Sequence, residues 1–193
     1  MFEVRSILPE LDRSEAEARS LIEGLSQEQI NFRPDAGAAW SISQCLDHLS
    51  KVNTTYAAAL ISALAKAPRQ PGREPPPIRP GWPSRSFIRA MDSPPPGEHS
   101  PKPRMKFSAP PKVVPDQNKA GDVALREFIA SHDSIRALLK DSQGADFNRL
   151  RFKNPFVRGL RFTVGAGILI ILAHDRRHLW QARRVREALP TAS

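Results

Sequence analysis

The sequence has little with which to cross-link itself, stack on nucleic acid bases or cross a membrane. One cysteine, Cys45, stands among 193 residues. No intrachain disulfide can form, and a lone thiol fits a reducing cytoplasm better than a secreted scaffold. There is a single tyrosine and no basic stripe interleaved with aromatics, which argues against nucleic acid as a partner despite a formal net charge of +9. The first ten residues carry no apolar run between a basic flank and a small-residue cleavage site, so no signal peptide is expected. The longest apolar stretch, Phe162 to Ala173, includes two glycines and falls short of the roughly 20 residues that a bilayer requires. No serine-based triad stands out, and the glycines are scattered rather than gathered into a phosphate-binding loop.

What the chain does have is helical periodicity. A first helix is expected from about Pro9 to Leu25, with Leu11, Ala18, Leu21, Ile22 and Leu25 on one face and Ser14 filling the step between. Ser26 with Gln29 reads as a capping box for a short turn. The second helix opens on Ser41 as N-cap with Gln44 as its reciprocal partner, Trp40 stapling over Cys45. It runs through Leu49, Val52, Tyr56 and Leu60 to about Ala67, where Pro68 stops it. A third helix is expected from Gln117 to Gln143, with Leu125, Phe128, Ile129, His132, Ile135, Leu138 and Leu139 as its stripe and Gly144 ending it. After an irregular stretch from Ala145 to Arg161, a fourth starts at the N-cap Thr163 and runs to about Ala188.

Between the second and third helices, residues 68–118 hold 15 of the 19 prolines and a net charge of +5. Runs such as Pro75-Pro76-Pro77 predict a polyproline-type connection, with Trp82, Phe87, Ile88, Met105 and Phe107 as apolar anchors. A link this long can return along a bundle and start the next helix parallel to the last. The expected architecture is therefore all-α, one four-helix bundle domain over residues 1–193, interrupted by an irregular insertion at 68–118.

The chemistry concentrates in His174-Asp175-Arg176-Arg177-His178. Histidines four apart put both rings on one helix face, and here that face continues the stripe of Gly167, Ile171, Gln181 and Val185. His48 lies on the side of Cys45, Val52 and Thr55 on the second helix. Three inward imidazoles suit zinc, nickel, copper or iron(II), and three protein ligands leave positions open for water or substrate. The same spacing also occurs in surface or hydrogen-bonded core histidines. Gln44 and Gln181 are candidates to support the ligands from a second layer, with capping as the competing role for Gln44. Cys45 reads as a core cysteine, His132 as a core histidine and His99 as exposed. Asp47 and Asp175 are rotated away from the histidines and read as solvated or salt-bridged. Arg176 and Arg177 belong to a solvated face or bind an anionic substrate group.

Two ordered motifs carry a resemblance. Gly24-Leu25-Ser26-Gln27-Glu28-Gln29, Arg33-Pro34, Trp40-Ser41-Ile42 and Leu46-Asp47-His48-Leu49, followed late in the chain by His174-Asp175-Arg176-Arg177-His178 with Gln181, resemble the DinB/YfiT-like superfamily over about residues 8 to 67 and 119 to 189. The resemblance implies an up-down-down-up bundle and a site of His48, His174 and His178 for one divalent metal, nickel or zinc. It also implies a homodimer acting on a small molecule, either as a metal-dependent hydrolase or as a transferase using a low-molecular-weight thiol. The alternative is a non-enzymatic, metal-binding dimeric stress-response or interaction module. The proline-rich link is longer than the family pattern and bears on the mouth of the site.

Overall fold

The computed structural model describes residues 1–67, 73–94, 109–142 and 144–190. In chain order its main elements are α1 (Ile7–Ile22), α2 (Gln27–Ile30), α3 (Ile42–Leu64), α4 (Trp82–Met91), α5 (Gly121–Lys140), β1 (Arg151–Lys153), β2 (Arg161–Thr163) and α6 (Val164–Glu187). The four expected helices are α1, α3, α5 and α6. No described helix is long and apolar enough to cross a membrane.

Three helix starts, those of α2, α3 and α6, follow the capping chemistry. Ser26 and Ser41 each close a complete capping box, with Gln29 and Gln44, and the Thr163 hydroxyl accepts the Ala166 N–H at 3.2 Å. The start of α5 is four residues later than the pattern predicts. The preceding Lys119 is tied to α3 instead: its carbonyl accepts from the Ser43 hydroxyl at 2.8 Å, and its ammonium reaches Asp47 at 2.6 Å.

Two irregular stretches contain structure that proline counting hides. The link read as polyproline-type carries α4, for which Gly81 is the N-cap and Pro83 lies in the first turn, where a missing N–H costs nothing. No proline follows until Pro94, and Phe87, Ile88 and Met91 form one face that packs on the core. Trp82, expected as an anchor, is instead 72% exposed; Met105 and Phe107 lie outside the described residues. The stretch before α6 forms an antiparallel hairpin with Phe152 opposite Phe162, both buried.

Side-chain pairs set the helix directions. Glu10 and Glu17 of α1 meet Arg176 and Arg183 of α6, so these two run parallel. Leu60 near the end of α3 lies against Gly167 near the start of α6, while His48 meets His178, so α3 and α6 run antiparallel. A Cβ at Gly167 would come within 2.8 Å of both Leu60 and the Phe152 ring, so any larger residue has to push these side chains aside. Asp12 and Glu15 of α1 meet Arg136 and His132 of α5, whose first residue, Gly121, packs on Ile30 beyond the end of α1, so α1 and α5 run antiparallel. These directions are those of an up-down-down-up order, with the long link as the crossover.

The core divides into two apolar halves. One gathers Ile7, Leu11, Tyr56, Leu60, Ile135, Phe152 and Ile168, the other Ala18, Leu21, Leu46, Leu49, Phe128, Leu179 and Val185. Between them, at mid-height of all four long helices, runs a buried polar belt. His132 of α5 faces Glu15 of α1 through Nδ1 and Asp175 of α6 through Nε2, each at 3.1 Å, and Asn53 of α3 donates to Asp175 at 2.9 Å. A ring with carboxylates on both nitrogens satisfies both only as the doubly protonated imidazolium. Burial alone would lower its pKa, but the bonds to Asp175 and Glu15 outweigh burial and raise it. Asp175, read as solvated or salt-bridged, is salt-bridged to His132 and fully buried, because α6 is covered on nearly every side there.

Replacing His132 with leucine strips both carboxylates of a shared partner. We expect a loss of about 3–5 kcal/mol, the usual consequence of orphaning a buried charge, read as a lower midpoint in urea denaturation. A loss below about 1 kcal/mol would mean that the belt does not hold the helices together.

Candidate metal centre

His48, His174 and His178 converge. Their candidate ligand atoms all lie within 4.8 Å of one another, so a shift of the rings by about 1 Å brings all three to the roughly 3.4 Å that two bonds of about 2.1 Å subtend at a tetrahedral ion. His174 and His178 face each other Nε2 to Nε2 at 3.1 Å, and the His48 ring centroid lies 5.2 and 4.7 Å from theirs.

Each ring is positioned by its own element. The capping box at Ser41 fixes the start of α3, and His48 follows two turns later. Its Nδ1–H donates to the carbonyl of Val113 at 2.7 Å, which turns the Nε2 lone pair toward the other rings. On α6, His178 Nδ1–H donates to Gln181 Oε1 at 3.0 Å, again leaving Nε2 as the acceptor. Gln44 commits its side-chain oxygen to the Ser41 N–H, which is the capping role. Trp40 packs on the core half that holds Cys45, as a staple would, and its ring also stacks on His178 at 5.6 Å and tilts against His48 at 4.8 Å.

His174 has no such support, and its Nδ1 is buried without a partner. If its proton sits on Nδ1, that donor is orphaned and two lone pairs oppose each other across 3.1 Å. If the proton sits on Nε2 and bonds His178, Nδ1 is an orphaned acceptor. Either state leaves a group unsatisfied at a cost of about 1–3 kcal/mol. A cation between the facing nitrogens removes the lone-pair opposition of the first state. Their separation also fits two bonds of about 2.1 Å meeting at roughly 90–110° on one ion.

Electrostatics favour the neutral, ligand-ready form of all three rings. Burial lowers the pKa of His48. Burial, then the charges of His48 and Arg177, pushes His174 down to about 3. Burial, His174 and His48 hold His178 well below its ordinary value. Cys45 lies in the core with its thiol pushed far up by burial, as a core cysteine would be. Asp47 is buried, where solvation was the alternative expectation. Burial alone would raise its pKa, but Lys119, Lys51 and the Asp116 N–H outweigh burial and lower it. Arg176 pairs with both oxygens of Asp92, at 2.9 and 2.7 Å, so it braces α4 on α6. His99 lies outside the described residues.

The histidines sit in the wall of a cavity of about 850 Å³. Its other sides are largely apolar, with Val52, Phe156 and Ile170 from the bundle and hairpin and Phe87, Met91 and Pro110 from the link. The link therefore builds part of the site. Trp40 and Val113 were not among the sequence candidates. Trp40 had a signal, since a residue stapled over Cys45 is one turn from His48. Val113 acts through its backbone carbonyl and had none.

A family model described as the DinB superfamily matches residues 10–182. The chain belongs to the DinB superfamily. The match covers all three histidines and Gln181. Among curated proteins, a DinB-superfamily chain such as this one is similar to the uncharacterized protein YuaE of Bacillus subtilis (strain 168), at 27% identity over 172 residues, covering 89% of this chain and 91% of that one. No solved structure matches.

Rings held neutral in the fold bind fewer protons than the unfolded chain once the pH drops below their ordinary value of 6.5. Their stabilising contribution is present above that pH and falls as the pH drops toward the folded values, about 3 for His174. His132 has the opposite sign: its contribution is complete below 6.5 and is lost only as the pH rises through its raised folded value. Between pH 6.5 and 5, above most carboxylate titration, metal-free protein should lose about 1.4 kcal/mol per pH unit for each histidine kept neutral. Urea midpoints across this range check it, and His174→Phe should flatten the slope. Equal midpoints at pH 6.5 and 5 would show that the rings are not held neutral.

Proposed function

We propose that this protein is a metal-dependent enzyme in which His48, His174 and His178 hold one divalent ion, zinc or nickel. The chemistry that such an ion would supply is activation of water or a low-molecular-weight thiol toward a small-molecule substrate. The observation that carries this reading is the convergence of three ring nitrogens at the wall of a cavity large enough for a substrate. A purely structural site would be closed by a fourth protein ligand. When bound, such an ion acts as a Lewis acid that brings the pKa of water or a thiol toward neutrality.

The chain's own part is positional. The Val113 carbonyl and the Gln181 amide each accept the Nδ1–H of a ring, which fixes its tautomer and raises the basicity of Nε2. Trp40 covers the rings on one side, and the apolar walls limit competing water. No carboxylate base lines the described cavity, so hydrolysis and thiol transfer are separated by substrate trials. The reading includes a homodimer, as the family resemblance implies, and a reducing cytoplasm, which suits a single thiol.

Elemental analysis of protein purified without an affinity tag or added metal tests the site, beside the double variant His174→Ala/His178→Ala. We expect near one equivalent of metal in the wild type and none in the variant. Gln181→Leu should weaken metal binding by about 10- to 100-fold. Absence of metal in the wild type, with no uptake on addition, would overturn the reading. Stoichiometric metal without turnover of any thiol–electrophile pair or ester would leave the non-enzymatic metal-binding module.

A further inference from the structure

The cavity's polar groups point to the kind of molecule it takes. Among its described lining residues there is one guanidinium, Arg177, and no carboxylate. Of the other arginines of α6, Arg176 is matched by Asp92 and Glu10 and Arg183 by Glu17, while outside the cavity Arg184 lies over the Trp180 ring and Arg186 donates to the Ser20 and Glu23 carbonyls. Arg177 has no acidic partner among the described residues, and its described hydrogen bonding is a single long contact to the Ala90 carbonyl, at 3.4 Å. Its positive charge is close enough to depress both His174 and His178.

Apart from the three histidines, whose Nε2 atoms are the acceptors of the candidate metal site, the polar side chains of the lining also present donors. Asn154 is locked by two backbone N–H bonds to its Oδ1, from Phe156 and Val157, and turns its amide nitrogen onto the Tyr56 oxygen at 2.8 Å. The Tyr56 hydroxyl accepts there, which leaves its own proton for another acceptor, and burial pushes its pKa up to about 12, so it keeps that proton. Gln181 gives its oxygen to His178 and has its amide N–H groups left over. A site whose described lining offers unspent side-chain donors and one guanidinium without a described acidic partner, walled by Phe87, Met91, Phe156 and Ile170, is complementary to an acceptor-rich head on an apolar body.

We propose that the cavity binds an amphipathic organic anion, its carboxylate held by Arg177 and its apolar body laid along the walls from α4, the hairpin and α6. This deepens the enzyme reading and rests on it for the role of the site, but the binding itself needs no metal. The charge excludes cationic substrates, and the apolar walls disfavour small, fully polar ones.

The test is isothermal titration of chelator-stripped protein with octanoate, 1-octanol and octylammonium, three ligands with the same apolar body and different heads. We expect octanoate to bind most tightly and octylammonium not measurably. Arg177→Gln should weaken octanoate by about 10- to 100-fold, the worth of a charge-assisted pair, and leave 1-octanol unchanged. Arg177→Lys should restore part of the loss. Equal binding of octanoate and 1-octanol, or octanoate affinity unmoved by Arg177→Gln, overturns the proposal. Metal content is measured separately, so protein that takes no metal yet binds octanoate through Arg177 keeps this inference and loses the enzyme. Protein that holds metal but ignores octanoate loses only this inference.

Discussion

The imidazolium of His132, held between Glu15 and Asp175, constrains the bundle more than any other single contact. It joins α1, α5 and α6 at one level, and Asn53 adds α3 through Asp175. Apolar packing is tolerant of small rotations, since many arrangements of leucine and isoleucine bury similar area. A hydrogen-bonded charge with a partner on each side is not, because a rotated helix would leave a buried carboxylate alone. Asp175 immediately follows His174, so the rotation that seats Asp175 in the belt turns His174, about 100° back around the helix, toward α3 and the cavity. His178, one turn further on, follows it. The aim of the His174–His178 pair is thus set by a residue between its members.

A second constraint comes from the link. Asp47 binds Lys51, Lys119 and the backbone N–H of Asp116, which fastens the end of the link to α3 beside His48. With Asp116 fixed, Val113 three residues earlier lies where its carbonyl can take the His48 proton. At the other end of the described link, Asp92 grips Arg176 and holds α4 over the cavity wall. Ile78, fully buried, exchanges two backbone hydrogen bonds with Phe2. A proline-rich segment loses less conformational freedom on ordering than a flexible one. A few such points are enough to lay it on the bundle, where it supplies one face of the cavity.

These two constraints explain what was legible in the sequence. Helix existence, the capping boxes at Ser26 and Ser41, the cap at Thr163 and the inward face of His48, His174 and His178 all follow from local spacing, and the structure keeps them. Asp175 was half legible: its salt-bridged reading holds, but one residue away from an inward histidine reads as the solvated side only if the helix has a solvated side there, and α6 has almost none. The role of Asp47 depends on Lys119, 72 residues away, for which no local pattern exists. In the link, the proline count masked ten proline-poor residues whose Phe87, Ile88 and Met91 carry an ordinary helical face. Val113 acts through a carbonyl that every residue possesses, so no side-chain reading could have singled it out.

Belt and site also balance each other energetically. Gathering three neutral imidazoles without a cation is unfavourable: His174 keeps an orphaned nitrogen, and its Nε2 faces that of His178. A site with this cost survives only where surrounding structure over-determines it, and the belt lies at the same height on the same helices. Occupation by a cation would remove the lone-pair opposition and stabilise the fold by linkage, in proportion to the logarithm of metal concentration over its dissociation constant. The cation would also add two positive charges beside Arg177 in a cavity whose described lining has no carboxylate. Such an excess of positive charge is best neutralised by the ligand, so metal and organic anion would each favour binding of the other.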